Sequence, residues 1–221
     1  MIKNRTAQLV YQTAYCTLGV IGVVGSFRFF DMDYFGEVYI YFSNWSNYFC
    51  LMIEFVELVN TINTKEKCYV APIPLLKFSG MLSILITCFA YNFPDPERNP
   101  VWSYKVNSIA FHIVLPLMYT IDWFLFYEKR KIPRTYPIYA TLFPVTYIIF
   151  MFVRAWSLNF NSNENNLYPY FFLDIDKIGV ISVMSLCLIF ALCYIIFGFV
   201  FIGFDRLIRL KEKRKIDIKA C

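Results

Sequence analysis

Six runs of about twenty mainly apolar residues follow one another along the chain, with shorter polar connections between them. An α-helix of about 20 residues spans the roughly 30 Å hydrocarbon core of a bilayer. The pattern therefore predicts an all-α fold: an integral membrane bundle of six transmembrane helices in a single domain, residues 1–221, with a basic tail at 205–221. The predicted spans lie near residues 8–27, 43–62, 75–93, 106–126, 137–156 and 178–203.

Composition and charge support this prediction and orient the helices. Hydrophobic residues make up 58% of the chain and charged residues only 17%, which is more apolar surface than a soluble core of this length needs. Lysine and arginine concentrate at the N-terminus, in the second and fourth connections and in the C-terminal tail. Because basic loops stay on the cytoplasmic side, both termini are predicted to be cytoplasmic, at the plasma membrane if the chain is bacterial. In this assignment of basic residues to connections, Lys77 belongs to the second connection.

The remaining composition limits the partners that the chain can have. The net charge of +5 lies mostly in the tail, whose cations would contact anionic lipid headgroups, and no nucleic-acid partner is expected. Seven cysteines without a CxxC pattern indicate structural thiols. A single histidine without carboxylates at ligand spacing argues against a dedicated transition-metal site, so neither a metal nor a cofactor is expected. The pattern leaves the oligomeric state open.

A polar stripe runs along the second predicted helix. At about 100° per residue its members fall within roughly 40° on either side of Ser43, whereas the opposite face, which includes Met52, Phe55 and Val59, is apolar. Such a stripe cannot face lipid, so it is predicted to line a cavity or to pair with neighbouring helices. Its members are Ser43, Asn47, Cys50, Glu54, Glu57 and Thr61.

His112 is the only histidine and lies in an almost uncharged run, SIAFHIVLPLMYT. An imidazole in this position needs a partner or a wet cavity, and it can move protons near pH 7. Ser43, toward the same side of the membrane, is the predicted partner: a nucleophile that His112 would serve as general base and then acid. The alternative for these two residues is a helix-capping serine and a buried histidine bonded to a neighbouring helix.

Acyl transfer by this pair would need further groups. Asn44 or Asn47 would assist the oxyanion, and Arg154 would bind an acyl carboxylate or a phosphate headgroup. Asp174 lies at a suitable depth to orient the histidine or to bind substrate. The competing nucleophiles are Ser46 and Cys50, and the other candidate orienters are Ser108 and Asp176.

Three intramembrane acids support a function of another class. By helix rise, Glu54 lies about 16 Å below Ser43 and Asp122 about 15 Å below His112, so the two acids can lie near one another and share a proton or a cation. Together with Glu57 and His112 they would form the proton or ion path of a transporter or lipid-binding membrane protein. A third reading is structural, with polar side chains that only hold helices together.

Four stretches of the chain are similar, in order and spacing, to a known family. They are YIYFSNWSNYFCLMI, FHIVLPLMYTIDWFLF, YPIYATLFPVTYIIFMFVRA and LYPYFFLDID. The chain resembles the androgen-induced and androgen-dependent-regulator family of multi-pass membrane hydrolases, with its bacterial six-pass relatives. The resemblance implies a threonine and histidine active-site pair, which falls on Ser43 and His112, and a lipid ester substrate such as a fatty acid ester of a hydroxy fatty acid. Serine in place of threonine keeps the hydroxyl. A membrane-embedded lipid ester hydrolase is therefore the leading prediction, and the ion path is the alternative.

Overall fold

All regular elements in the part of the chain that the structure describes are helical, which confirms the all-α class. The structure is a computed structural model. It describes residues 2, 4–29, 32, 36–64, 71–92, 109–127, 132–161 and 167–220, and side chains are not described at 92, 159–161 and 211–220. The chain divides into two compact units, Met1–Tyr127 and Glu128–Cys221.

Four helices are described in the first unit: α1 (Arg5–Ser26), α2 (Phe42–Asn63), α3 (Pro74–Asn92) and α4 (Leu115–Phe126). A 3-10 turn, Gly36–Ile40, precedes α2, and α4 continues a π-helical turn, Ala110–Val114. Helix α2 packs against both α1 and α3, and α4 packs against the same two helices.

The second unit contains the remaining helices of the chain. The sequence predicts a bend at Pro144, and the helical path is interrupted there: α5 (Tyr136–Ala140) stops and α6 (Leu142–Asn161) begins after Thr141. Proline has no N–H to donate to the carbonyl of Ala140, four residues earlier, so the continuous hydrogen-bond ladder ends. A 3-10 turn, Phe171–Leu173, then leads to α7 (Ile175–Ile178) and α8 (Val180–Ala220).

Among the described residues, four helical segments are long and apolar enough to cross a membrane, as judged by length and composition. These segments are Arg5–Ser26, Pro74–Tyr91, Tyr136–Leu158 and Val180–Leu210, and the segment Ala110–Phe126 is apolar but shorter. Large apolar side chains lie exposed on them, among them Ile181 at 84% in α8. Such exposure suits a hydrocarbon environment and not water.

Two features of the sequence explain how the first unit packs. A Cβ added at Gly19 would lie 2.5 Å from a Leu51 methyl group, and one added at Gly22 would overlap the Phe111 ring. Glycine therefore lets α1 approach α2 and the π-helical turn closely, as small residues do between membrane helices. The polar stripe of α2 faces the interior as predicted, since its members from Asn47 to Thr61 are buried, and the opposite face is exposed.

Candidate functional site

Lys77 lies in the first turn of α3, and its side chain is fully buried. Its Nζ donates hydrogen bonds to three carboxylates from two other helices: Glu54 Oε1, Glu57 Oε2 at 2.7 Å and Asp122 Oδ2 at 2.7 Å. The three acids are themselves about 1% exposed or less. We call these four residues the buried ion cluster.

The local sequence explains why the four side chains meet. Glu54 and Glu57 are one helical turn apart and share the buried face of α2. Pro74 opens α3, so Lys77 is already inside the helix, and its N–H bonds the Ile73 carbonyl. Asp122 lies on the buried face of α4. The cluster is therefore assembled from three helices of one unit.

Aromatic side chains complete the surroundings of the lysine. The Lys77 Nζ lies 4.3 Å from the centroid of the Tyr119 ring and 5.0 Å from that of Tyr127. The Tyr127 hydroxyl donates to Glu57 Oε2 and accepts from Gln12 Nε2 at 3.2 Å. This last bond ties α1 to the cluster, so all four helices of the first unit take part.

The cluster holds more negative than positive charge. One ammonium and three ionised carboxylates carry a formal charge of minus two. Each acid also has one buried oxygen without a hydrogen-bond partner among the described residues: Glu54 Oε2, Glu57 Oε1 and Asp122 Oδ1. Buried polar groups normally have a hydrogen-bond partner, so these three oxygens can bind a proton or contact a further cation. One oxygen from each acid lies within 4.8 Å of the others, a spacing at which carboxylates can hold a metal ion.

The structure thus brings together the three acids on which the ion-path prediction depends. Glu54 and Asp122 share the same cation, as their predicted depths allow, and Glu57 joins them. The assignment of Lys77 to a basic connection is wrong, because its side chain is fully buried inside the unit. Two signals in the sequence could have found it: the lysine follows the helix-opening Pro74 by three residues, and three buried acids require a cation.

The predicted catalytic pair has a different geometry. His112 lies in the π-helical turn, half-buried, and its ring stacks on Tyr91 with centroids 3.7 Å apart and planes at 16°. Ser43 lies inside α2, whose N-cap is Tyr41, so it is not the cap of this helix. Among the described residues, no hydrogen bond joins the Ser43 hydroxyl to His112, and the bonds at Ser43 go to its main-chain carbonyl.

Asn47 nevertheless connects the two segments. Its side-chain nitrogen donates to the carbonyl of Ser43 at 2.8 Å and to that of Phe111 at 3.0 Å. The other proposed oxyanion donor, Asn44, donates to the Val38 carbonyl at 2.7 Å. Both amides therefore hold the backbone around the pair, and the two Asn47 N–H bonds occupy both of its donors.

The other nucleophile candidates are engaged in packing. Ser46 Oγ lies 2.9 Å from Thr87 Oγ1 and links α2 to α3. The Cys50 thiol is fully buried, and a Cβ added at Gly80 would lie 3.1 Å from its sulfur. Ser108, the other orienter proposed for the histidine, lies outside the described residues, as do Lys65, Lys67 and Cys68 of the second connection.

Arg154 and Asp174 belong to the second unit. The buried Arg154 donates to the Leu167 carbonyl at 2.8 Å and so closes the connection after α6. Asp174 caps α7, because its Oδ1 accepts from the Lys177 amide at 3.1 Å, and its Oδ2 lies 2.9 Å from the Lys177 Nζ. The hydrogen bond from the Lys177 side chain holds the pKa of Asp174 below its usual value. Asp176 is exposed.

Comparison of the chain with protein-family models, with curated proteins and with solved structures found no significant match. The described structure itself defines the class: an all-helical protein with membrane-length apolar helices and a buried cluster of one lysine and three carboxylates.

Proposed function

We propose that the chain is a six-span integral membrane protein, with both termini cytoplasmic, that binds and releases protons at the buried ion cluster as part of an ion path. The observation that carries this proposal is the excess of acid: three buried carboxylates surround one ammonium, and each keeps one oxygen without a partner in the part of the chain that the structure describes. Ionisable groups inside a membrane segment are costly and mark proton or ion pathways.

The charge of the cluster favours protons as the exchanged species. A formal charge of minus two in a medium of low dielectric constant costs several kcal/mol per uncompensated ion. Two protons bound to the carboxylates would make the cluster neutral while Lys77 keeps its charge. A purely structural link between helices needs no excess of acid, since one lysine and one carboxylate would make a neutral pair. The second and third acids are therefore explained by proton binding.

Tyr127 lies on the side of the cluster from which we propose that protons leave. Its hydroxyl donates to Glu57 and accepts from the Gln12 amide nitrogen. That nitrogen can only donate, so a proton that leaves through the tyrosine must pass to solvent water and not to Gln12. In the proposed topology α4 runs toward the cytoplasm, and Tyr127 follows its last residue. His112 is not bonded to any of the three acids, whose described hydrogen bonds go to Lys77 and Tyr127. The path that we propose therefore uses Glu54, Glu57 and Asp122 without the histidine.

Infrared difference spectroscopy of the purified protein tests this function, because a protonated carboxyl group has a C=O stretch of its own. We expect a pH change to produce carboxyl bands in wild type that are altered in Glu54→Gln, Glu57→Gln and Asp122→Asn. Ser43→Ala is the matched control on the same helix, and it should leave the bands unchanged. Identical difference spectra in wild type and all three acid variants, each shown to be folded, would reject proton binding at the cluster.

Lipid ester hydrolysis by Ser43 and His112 is the second candidate. The bridge that Asn47 makes between the Ser43 and Phe111 carbonyls favours it, because this bridge holds the first turns of α2 against the π-helical turn that carries His112. A lipid or fatty acyl ester would be the substrate, and anionic headgroups would contact the basic tail. Labelling with a fluorophosphonate probe that Ser43→Ala and His112→Ala both abolish would support this function. Equal labelling of all three proteins would exclude it.

A further inference from the structure

We infer that the buried ion cluster is a binding site for a primary ammonium group, occupied in the resting protein by Lys77. The inference rests on the same cluster as the proposed function and deepens it, since it names the class of cation that the site selects. A protonated primary amine, and not a metal ion, is the cation that the site accepts once the lysine side chain is removed.

The acceptors of the site match the donors of a primary ammonium group. A primary ammonium has three N–H donors and no acceptor. The Lys77 Nζ bonds one oxygen from each of three different carboxylates, so each donor has its own anionic acceptor. These bonds are charge-assisted, which makes them the strong class of hydrogen bond. A secondary or tertiary ammonium would leave one or two of these carboxylates without a donor.

Two aromatic rings line the ammonium site. The nitrogen lies within 4.3 Å of the Tyr119 ring centroid and 5.0 Å of the Tyr127 ring centroid, inside the range of cation–π attraction. Both tyrosines are buried, and Tyr119 is fully so. Ring faces attract an organic cation but supply no oxygen ligand for a metal.

The same surroundings are poor for the common divalent metal ions. Calcium takes about 6–8 oxygen ligands, and magnesium keeps several waters in a near-octahedral shell. The site offers one oxygen from each of three acids at metal spacing. The faces of two tyrosine rings lie within 5.0 Å of the same nitrogen, and a ring face supplies no oxygen ligand. An ammonium group needs no further ligands.

Replacement of the lysine turns this inference into an experiment. Lys77→Ala removes the side chain beyond Cβ, which is three carbons and the nitrogen. n-Propylammonium has the same four heavy atoms, so it fits the space that the substitution leaves. Lys77→Met is the matched control, because methionine fills that space without supplying a cation.

We would measure thermal unfolding of detergent-solubilised Lys77→Ala, with the buried thiols of Cys16 and Cys50 as reporters of unfolding. The probes are n-propylammonium, methylammonium, tetramethylammonium, sodium, magnesium and calcium, at matched ionic strength. We expect n-propylammonium to raise the melting temperature by about 3–5 °C for each tenfold increase above its dissociation constant. Methylammonium should act more weakly, and tetramethylammonium, which has no N–H donor, should have no effect. Wild type and Lys77→Met should not respond to any amine.

The outcomes separate this inference from the proposed function. Stabilisation by calcium or magnesium but not by n-propylammonium would overturn the ammonium assignment, and it would leave the infrared test of proton binding unaffected. Equal stabilisation of Lys77→Met would also overturn it, because that variant has no vacant space. If Lys77→Ala does not fold even when it is purified in n-propylammonium, the measurement moves to Lys77→Ala with Asp122→Asn, which relieves one buried negative charge. Absence of an amine effect in that variant would reject the inference.

Discussion

Substitution of Lys77 by methionine is the sharpest perturbation of the first unit. The change keeps an unbranched side chain of similar volume, one heavy atom shorter, and it removes the charge and its three N–H donors. Glu54, Glu57 and Asp122 then lose their common partner while they remain buried at about 1% exposure or less. The three acids must take up protons or repel one another.

The expected cost follows from the burial of the cluster. Removal of one partner from a buried ion pair typically costs about 3–5 kcal/mol, because the remaining charge is left uncompensated. Asp122→Asn should cost only about 1 kcal/mol, since the amide oxygen still accepts from Lys77 and one negative charge is gone. For a chain of this size 1 kcal/mol corresponds to about 2–4 °C in melting temperature. The lysine variant should therefore melt at least about 6 °C below wild type, and the asparagine variant within about 4 °C of it.

The assay is thermal unfolding in detergent, followed by the reaction of a thiol-specific dye with Cys16 and Cys50 as they become accessible. The stability deficit of Lys77→Met should shrink as the pH falls, because its folded state binds more protons than its unfolded state. Neutralising the acids by Glu54→Gln, Glu57→Gln and Asp122→Asn in the same chain should restore most of the loss. A lysine variant as stable as wild type, or one less stable than wild type by the same amount at every pH, would refute the electrostatic reasoning.

Three further substitutions test other contacts. Tyr127→Phe should destabilise the first unit by about 1–3 kcal/mol, because it leaves buried groups without their hydroxyl partner; chemical unfolding would measure it. Gly22→Ala should cost about 1–3 kcal/mol of stability through overlap with Phe111. Gly203→Ala is its control and should not destabilise the protein, because an added Cβ meets no atom within 4 Å there. Melting curves would separate the two variants. Asp174→Ala should cost about 1 kcal/mol by loss of the helix cap, and Asp174→Asn much less. Because the pKa of Asp174 is lowered, the stability that its carboxylate adds is present at neutral pH and is lost as the pH falls through that lowered value. Acid unfolding would show this loss.

The sequence predicts the helices well because their signal is local. Each predicted span overlaps a described helix, for example 43–62 with Phe42–Asn63 and 75–93 with Pro74–Asn92. The buried stripe of α2 follows from the same helical period. These features depend on the order of apolar and polar residues along a single helix, and no knowledge of the neighbouring helices is needed.

The partners of the polar residues are harder to predict, because they depend on how helices pack. The distance between His112 and Asp122 that helix rise predicts assumes a uniform 3.6-residue turn, but the π-helical turn Ala110–Val114 changes the register between them. A pattern of charge along the chain assigns Lys77 to a loop, because it carries no information on which side chains become buried. Its burial depends on three carboxylates that come from α2 and α4, which the sequence of α3 does not reveal.

The two candidate functions lie at different heights along the same helix, and this makes them separable. Ser43 and Glu54 are eleven residues apart in α2, which corresponds to about 16 Å along its axis. Near Ser43 the amide nitrogen of Asn47 donates to two backbone carbonyls, so its donors are used in packing. Around Lys77 three buried carboxylates surround one ammonium, so negative charge is in excess there. A site that must exchange a proton or a cation needs such an excess, which is why the acids of α2, and not Ser43, are the better candidate for the function of this protein.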